Sequence, residues 1–354
     1  MSGKISISLD ALVSNYKNLR FLLGDFICVL KSDAYGHGAK RCATSLYENG
    51  ARKFAVFSLD EALEIRENVP SADILILGRT PAAYIDGLKK NRFIQTVFSA
   101  EYIKELIPYS DGLRTHIKLD TGMNRVGFKG EPEMIKRAFS GFKGEIEGVY
   151  THFHSADCDD ADTVENELAD FLRRARELEA LYNKSMIKHA AASAAAIRFK
   201  QTRLDACRIG LALYGYLPDN CTLPFRLKPV MSFFGRVISV RNVARGENIG
   251  YGCDRKAERA SVIATVACGY ADGLPRIAEK MNPLVKGHRV PFAGRICMDR
   301  CMLDVTELYK KGITLRPYDK VELLGKNLPV TELARAEKTI PYEILTRVGK
   351  MNAK

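Results

Sequence analysis

The sequence predicts an α/β fold: a TIM-type (β/α)8 barrel followed by a smaller, mainly β domain. Three observations predict it. Eight short apolar runs alternate with amphipathic stretches over the first two-thirds of the chain. A segment rich in Pro, Asp and Asn, residues 217–229, then breaks the rhythm. Beyond it the pattern turns to strands punctuated by glycines. At 354 residues the chain exceeds the size at which one core usually stops growing, so two domains are expected. We place the barrel at 1–225 and the second domain at 226–354.

The eight runs are 26–31, 53–59, 73–78, 93–99, 114–120, 146–152, 187–192 and 206–211. β-Branched and apolar residues dominate most of them, as in strands buried on both faces. The seventh is alanine-rich and the least strand-like. Between them lie helical patterns at 38–48, 59–68 and, most clearly, 160–182. There Val164, Leu168, Phe171, Leu172, Ala175, Leu178 and Tyr182 recur at helical spacing. An open, doubly wound sheet is the alternative, and the count of eight favours the barrel. In the second domain, 230–240, 261–270, 290–299 and 320–324 read as strands.

Composition narrows the function. Lys and Arg number 54 against 42 Asp and Glu, a formal charge of +12, but the excess is spread along the chain. Its densest cluster, Arg173, Arg174 and Arg176, is interleaved with Glu177 and Glu179 and reads as a solvated helix face. Asp60, Glu61, Lys89 and Lys90 are read the same way. No aromatic-rich basic motif or zinc-finger spacing accompanies the charge, which argues against nucleic acid. Nine cysteines, an odd number without a CxxC pair, fit reduced thiols. No secretory leader and no apolar stretch of bilayer length is visible. A cytoplasmic protein without membrane contact or a metal site is expected.

A barrel carries its chemistry at the C-terminal ends of its strands. The first run ends in Lys31, whose charge must be paired or desolvated there. It is either a lysine reaching to the rim or a reactive amine with a lowered pKa. The fifth run brings Lys118 and Asp120, the sixth His152, the seventh Ser193, the eighth Arg208 and Gly210. Each has a plain reading: a rim ion pair for Lys118 and Asp120, a hydrogen-bonded core histidine, a helix N-cap for Ser193. Their gathering at one end of one barrel favours a site. The loops after strands 7 and 8 often bind phosphate, and no P-loop or GxGxxG motif points to a nucleotide. A phosphorylated cofactor paired with a reactive lysine fits better.

Four motifs make a resemblance specific. Val29-Leu30-Lys31-Ser32-Asp33-Ala34-Tyr35-Gly36-His37-Gly38 resembles the pyridoxal-phosphate attachment signature of the alanine racemase family. Lys118-Leu119-Asp120-Thr121-Gly122-Met123-Asn124-Arg125 resembles a second family motif. Gly269-Tyr270-Ala271-Asp272-Gly273 and Gly294-Arg295-Ile296-Cys297-Met298-Asp299 resemble two more. The similarity runs in order from about Ile5 to Tyr342.

The resemblance implies a racemase of L- and D-alanine, usually one supplying D-alanine for peptidoglycan. It implies pyridoxal 5'-phosphate as cofactor and a head-to-tail homodimer with shared active sites. Lys31 becomes the Schiff-base lysine and one of two bases; Tyr270, from the partner subunit, becomes the other. Arg208 faces the pyridine nitrogen, and His152 links it to the tyrosine. Tyr35, Ser193, Gly210, Leu211 and Tyr342 match phosphate-contacting positions. Arg125 and the backbone of Met298 match positions holding the substrate carboxylate. In part of the family the residue matching Lys118 is carbamylated. Ala192 stands where the family often has Asn, and Ser32 where Ala is common. A fold-type III decarboxylase, a serine racemase and a non-catalytic pyridoxal-phosphate carrier are the competing readings. Tyr270 and Arg208 weigh against the first, and the second domain against the last. Tyr251 and Asp254 are candidates for the mouth of the site or for a plain turn.

Overall fold

The computed structural model describes residues 3–158, 160–218, 220–252 and 255–352. Asp219, Cys253 and Asp254, which entered the linker, thiol and site-mouth readings, lie outside the described residues. The chain forms two compact units, one of 9–34 and 39–228, the other of 1–8, 35–38 and 229–354. This differs from a single division at 225/226. Strand β1 (Lys4–Ile7) pairs antiparallel with residues 231–234, so the N-terminus joins the second unit.

The first unit is the barrel. Its strands are β2 (Ile27–Val29), β3 (Lys53–Val56), β4 (Asp73–Ile76), β5 (Ile94–Val97), β6 (Arg114–Lys118), β7 (Glu145–Tyr150), β8 (Ile187–His189) and β9 (Arg208–Ile209). They pair in parallel in the order β8-β7-β6-β5-β4-β3-β2-β9. A parallel bridge between His189 and Ala206 joins the two ends, and Arg208 N donates to Ala191 O at 2.9 Å. Every residue of β2 and β5 is buried, because helices cover one face and the barrel interior the other. Seven of the eight apolar runs contain one of these strands whole, and the sixth, 146–152, begins one residue inside β7.

The long helix occupies Ala161–Tyr182, with Asp160 as N-cap accepting from Thr163 N. Its buried stripe holds Val164, Leu168, Phe171, Ala175 and Leu178, and Arg174 with them. The reading of 173–176 as a solvated face therefore holds for Arg173, which pairs with Glu131, Asp170 and Glu177, and fails for Arg174. Three residues past Phe171 and four before Leu178, Arg174 is in phase with the buried stripe.

The second unit is built on an antiparallel sheet. Its strands are β10 (Met231–Val243), β11 (Ser261–Ala267), β12 (Leu284–Val285), β13 (His288–Arg289), β14 (Cys301–Asp304) and β15 (Lys320–Leu324). They run in the order β13-β12-β15-β10-β11-β14, with β1 also on β10. The stretch 290–299 is not the continuous strand its apolar residues suggest: Phe292 forms a single antiparallel bridge to Leu303, and the rest is irregular. Pro291 has no N–H to donate, and Gly294 sits at φ +73, where a Cβ would lie 2.4 Å from Ile249 O. Regular pairing resumes only at β14. Two helices not read from the sequence, Val330–Glu337 and Pro341–Asn352, complete the unit.

One close contact governs where the last helix lies. A Cβ on Gly349 would fall 2.3 Å from Gly36 Cα, and one on Gly36 would fall 2.7 Å from Leu345 O. In a free helix alanine is favoured over glycine by about 1 kcal/mol. Here Gly349→Ala is expected to destabilise, because two backbones meet at that point. Urea unfolding checks the sign; a midpoint unchanged or raised would overturn the argument.

Candidate active site

Lys31 follows β2 and is half-buried. Burial, then the charges of Arg125 and Arg208, lower its pKa; Glu61 opposes them. The chain then makes a left-handed turn. Ser32, Asp33, Ala34 and Tyr35 all have φ between 53 and 55°, followed by Gly36 at 79°. For residues with a Cβ this costs roughly 1–2 kcal/mol each, so the surroundings must hold it. Glu61 does much of this. Its carboxylate accepts from Ser32 N and from Phe57 N, both at 2.7 Å. Asp33 Oδ1 accepts from Ala39 N at 2.6 Å, and Ala34 N donates to Leu30 O at 2.7 Å. Glu61 is thus no solvated charge. The signal that could have found it is Ser58-x-x-Glu61, a capping-box pattern.

Arg208 is 4 % exposed. Its two terminal nitrogens donate to Thr151 O (2.7 Å), Ala190 O (2.8 Å) and His189 O (3.1 Å), and meet His189 Nδ1 (2.7 Å) and His152 Nδ1 (3.2 Å). The remaining N–H, on Nε, has no protein acceptor among the described residues. Burial brings the guanidinium down to about 10. Burial and the cations of Arg208, Arg125, Lys118 and Lys31 hold His152 well below the usual histidine range.

Lys118 ends β6. It donates to Val126 O at 2.8 Å, and burial followed by Arg125 and Arg208 lowers it to about 8. The rim ion pair with Asp120 is not formed among the described residues. Asp120 Oδ1 accepts instead from Gly122 N and Asn124 N, which folds the loop carrying Arg125. Arg174 pins that loop from behind. It donates to the carbonyls of Asp120 (3.1 Å), Phe128 (2.7 Å) and Gly130 (2.9 Å).

At the ends of β8 and β9, Gly210 N donates to Ser193 Oγ at 3.3 Å, and Leu211 opens the turn that follows. Ser193 is the first residue of its helix, one place after the N-cap.

The second unit makes two groupings of its own. The rings of Tyr35 and Tyr342 lie 5.8 Å apart, and burial raises the Tyr35 phenol. The segments carrying Tyr270 and Met298 also meet, Tyr270 N donating to Cys297 O at 3.1 Å. Ala271 N donates to Met298 O at 3.0 Å, and a Cβ on Gly269 would lie 2.2 Å from that oxygen. Tyr270 and Met298 stand 42 % and 55 % exposed.

Lys31, Lys118, Arg125, His152 and Arg208 therefore share one field at the strand ends of the barrel. Sequence reasoning missed Glu61, Arg174 and two buried histidines, His116 and His189. His116 stands two residues before Lys118 on one strand, so the two share a face.

A barrel with lysines and arginines gathered at its strand ends is the architecture of an enzyme. Residues 7–218 match the family model described as alanine racemase, N-terminal domain, and 230–354 the one described as alanine racemase, C-terminal domain. "Alanine racemase 1" of Caldanaerobacter subterraneus is 34% identical over 98% of this chain and 92% of its own. The crystal structure of alanine racemase from Bacillus anthracis with bound L-Ala-P is 33% identical, with a TM-score of 0.89 over 98% of this chain and 92% of that one. That of Bartonella henselae alanine racemase with covalently bound pyridoxal phosphate is 29% identical, with a TM-score of 0.90 over 99% and 98%. The chain belongs to the alanine racemase family and is an isomerase.

Proposed function

We propose that the protein interconverts L-alanine and D-alanine with pyridoxal 5'-phosphate held covalently on Lys31. One observation carries this: a lysine of lowered pKa stands in the field of a buried arginine whose Nε–H has no protein acceptor among the described residues. That N–H suits a ring nitrogen, and the barrel offers a phosphate the hydroxyl proton of Ser193, whose oxygen accepts from Gly210 N in a long bond of 3.3 Å. The residues present fit the cofactor. When bound, it supplies a sink for the electron pair left on deprotonating Cα.

The chain's own groups do the rest. The Lys31 amine loses its proton more readily than an ordinary lysine, so it can take a proton from Cα and return one on one face. Tyr270 serves the opposite face in this reading. Its exposure in its own chain leaves it available to a second copy, so we assign a homodimer with shared sites. Arg125 and the Met298 backbone hold the substrate carboxylate; Tyr35, Tyr342, Ser193, Gly210 and Leu211 hold the phosphate. His152 joins Arg208 to the tyrosine. Lys118, neutral above about pH 8, is able to add CO2 and become a carbamate. We assign the barrel to cofactor binding and the second unit to the partner's site. The product serves peptidoglycan synthesis in the cytoplasm.

The test is Cα exchange in D2O. Purified protein with added pyridoxal phosphate is expected to deuterate L-alanine and form D-alanine, and to turn over L-serine more slowly. Labelled bicarbonate on the same sample reports a carbamate by NMR. Cofactor bound without exchange on either amino acid would sink the racemase reading and favour a carrier or decarboxylase.

A further inference from the structure

Arg208 is a buried cation with no carboxylate partner among the described residues. Carbonyls and imidazoles surround it instead, and one imidazole leads further into the barrel. His189 Nδ1 meets Arg208 at 2.7 Å, and His189 Nε2 meets His116 Nδ1 at 2.9 Å. Arginine has donors only, so His189 Nδ1 accepts and carries no proton. A neutral His189 then holds its proton on Nε2 and donates it to His116. His116 in turn keeps its own proton on Nε2. One permanent charge so fixes the tautomers of two histidines in series.

The packing supports this order. The Tyr150 ring stacks on His189 at 4.6 Å and 11°, and Arg208 lies 5.0 Å from the same ring centroid. Tyr150 is itself tied by its hydroxyl to Thr96 at 3.0 Å. Gly148 makes room for His116, since a Cβ there would lie 2.7 Å from the imidazole. Among the described residues, the charged groups that act most strongly on the pair are cations, with one exception. Burial, Arg208, His116 and Lys53 keep His189 well below its usual range. Burial, Arg114, Arg208 and Lys53 bring His116 to about 3, against Asp73 alone.

We propose that His189, locked by His116 behind it, is a positioning residue for the reaction. It is an obligatorily neutral acceptor that holds the Arg208 guanidinium so that the Nε–H stays free for the ring nitrogen of the cofactor. This rests on the cofactor reading above. A carboxylate at the same place would pair with the arginine and cancel the charge the ring nitrogen meets. An imidazole orients the arginine and leaves its charge intact.

His189→Leu removes the acceptor, and His189→Asn restores it, because Asn Oδ1 falls near the position of Nδ1. His189→Leu is expected to raise the Kd for pyridoxal phosphate and lower kcat about 10- to 100-fold, the size of one charge-assisted hydrogen bond. KM for alanine should barely move, and His189→Asn should recover most of the loss. Nitrogen NMR of the full chain with labelled histidine, before and after adding cofactor, gives a readout free of activity and of mutation. His189 is expected to show a bare Nδ1 that does not titrate between about pH 7 and pH 5. Wild-type protein that binds no cofactor would overturn the cofactor reading and the positioning role with it. In a chain that does bind, a proton on His189 Nδ1 would overturn the relay alone. So would a folded His189→Leu protein with unchanged Kd and kcat.

Discussion

Lys31→Ala is expected to lose Cα proton exchange on alanine by a factor on the order of ten thousand or more, while remaining folded. Both halves follow from the surroundings of Lys31. Its burial and the neighbouring Arg125 and Arg208 disfavour its charged form, which a base requires and which a lysine kept for stability does not. A positioned proton-transfer group alone contributes about a hundred- to ten-thousand-fold, and here the covalent anchor of the cofactor goes with it. Removing a cation from among cations costs little stability, so the unfolding midpoint should not fall. Lys31→Arg sharpens the point. Arginine keeps the charge and much of the length but stays protonated, so it should be as inactive as alanine. The measurement is deuterium incorporation into L-alanine, beside urea unfolding of the same samples. Activity of Lys31→Arg within about tenfold of wild type would mean that the site needs a charge there, and the base assignment would fail.

The barrel was legible because its strands are buried on both faces, and such strands show as apolar runs whatever their partners. Lys31, Lys118, His152 and Arg208 stood out because a polar group within or closing an apolar run needs a reason. What escaped were contacts whose partners are far away in sequence. Glu61 looks like one more surface carboxylate until Ser32, 29 residues away, is seen to donate to it. Arg174 looks like its neighbour Arg173 until its helical phase is worked out and its reach of 54 residues to Asp120 is seen. The left-handed turn gave less warning still. Gly36 and Gly38 hinted at it, but Ser32 to Tyr35 are side chains that ordinarily avoid that conformation. The antiparallel unit was read less well for a related reason. Pro291 and Gly294 break an apolar stretch into a turn, and apolar content alone does not register that.

Stability is expected to fall steeply once the pH drops below about 6.5. His116, His152 and His189 all have folded-state pKa values lowered from the usual histidine value, His116 to about 3 and the others well below 6.5. In the unfolded chain these imidazoles take up protons near pH 6.5; in the folded barrel they refuse them until far lower. Between those limits the unfolded state binds more protons, so unfolding gains as acid is added. Neutral pH lies above the window and carries no penalty. With all three in play the slope approaches about 4 kcal/mol per pH unit at its steepest, an upper figure because other groups titrate too. Urea midpoints taken from roughly pH 7 down to roughly pH 5 measure it. His116→Leu removes one titrating site and should flatten the slope by about a third, even if it lowers stability at neutral pH. A flat profile, or an unaltered slope in the variant, would mean that protons reach these histidines in the folded state. Arg208 would then face charged neighbours instead of acceptors. The acid lability and the orientation of Arg208 thus have one origin: a cation buried without a carboxylate can be held by imidazoles only while they stay neutral.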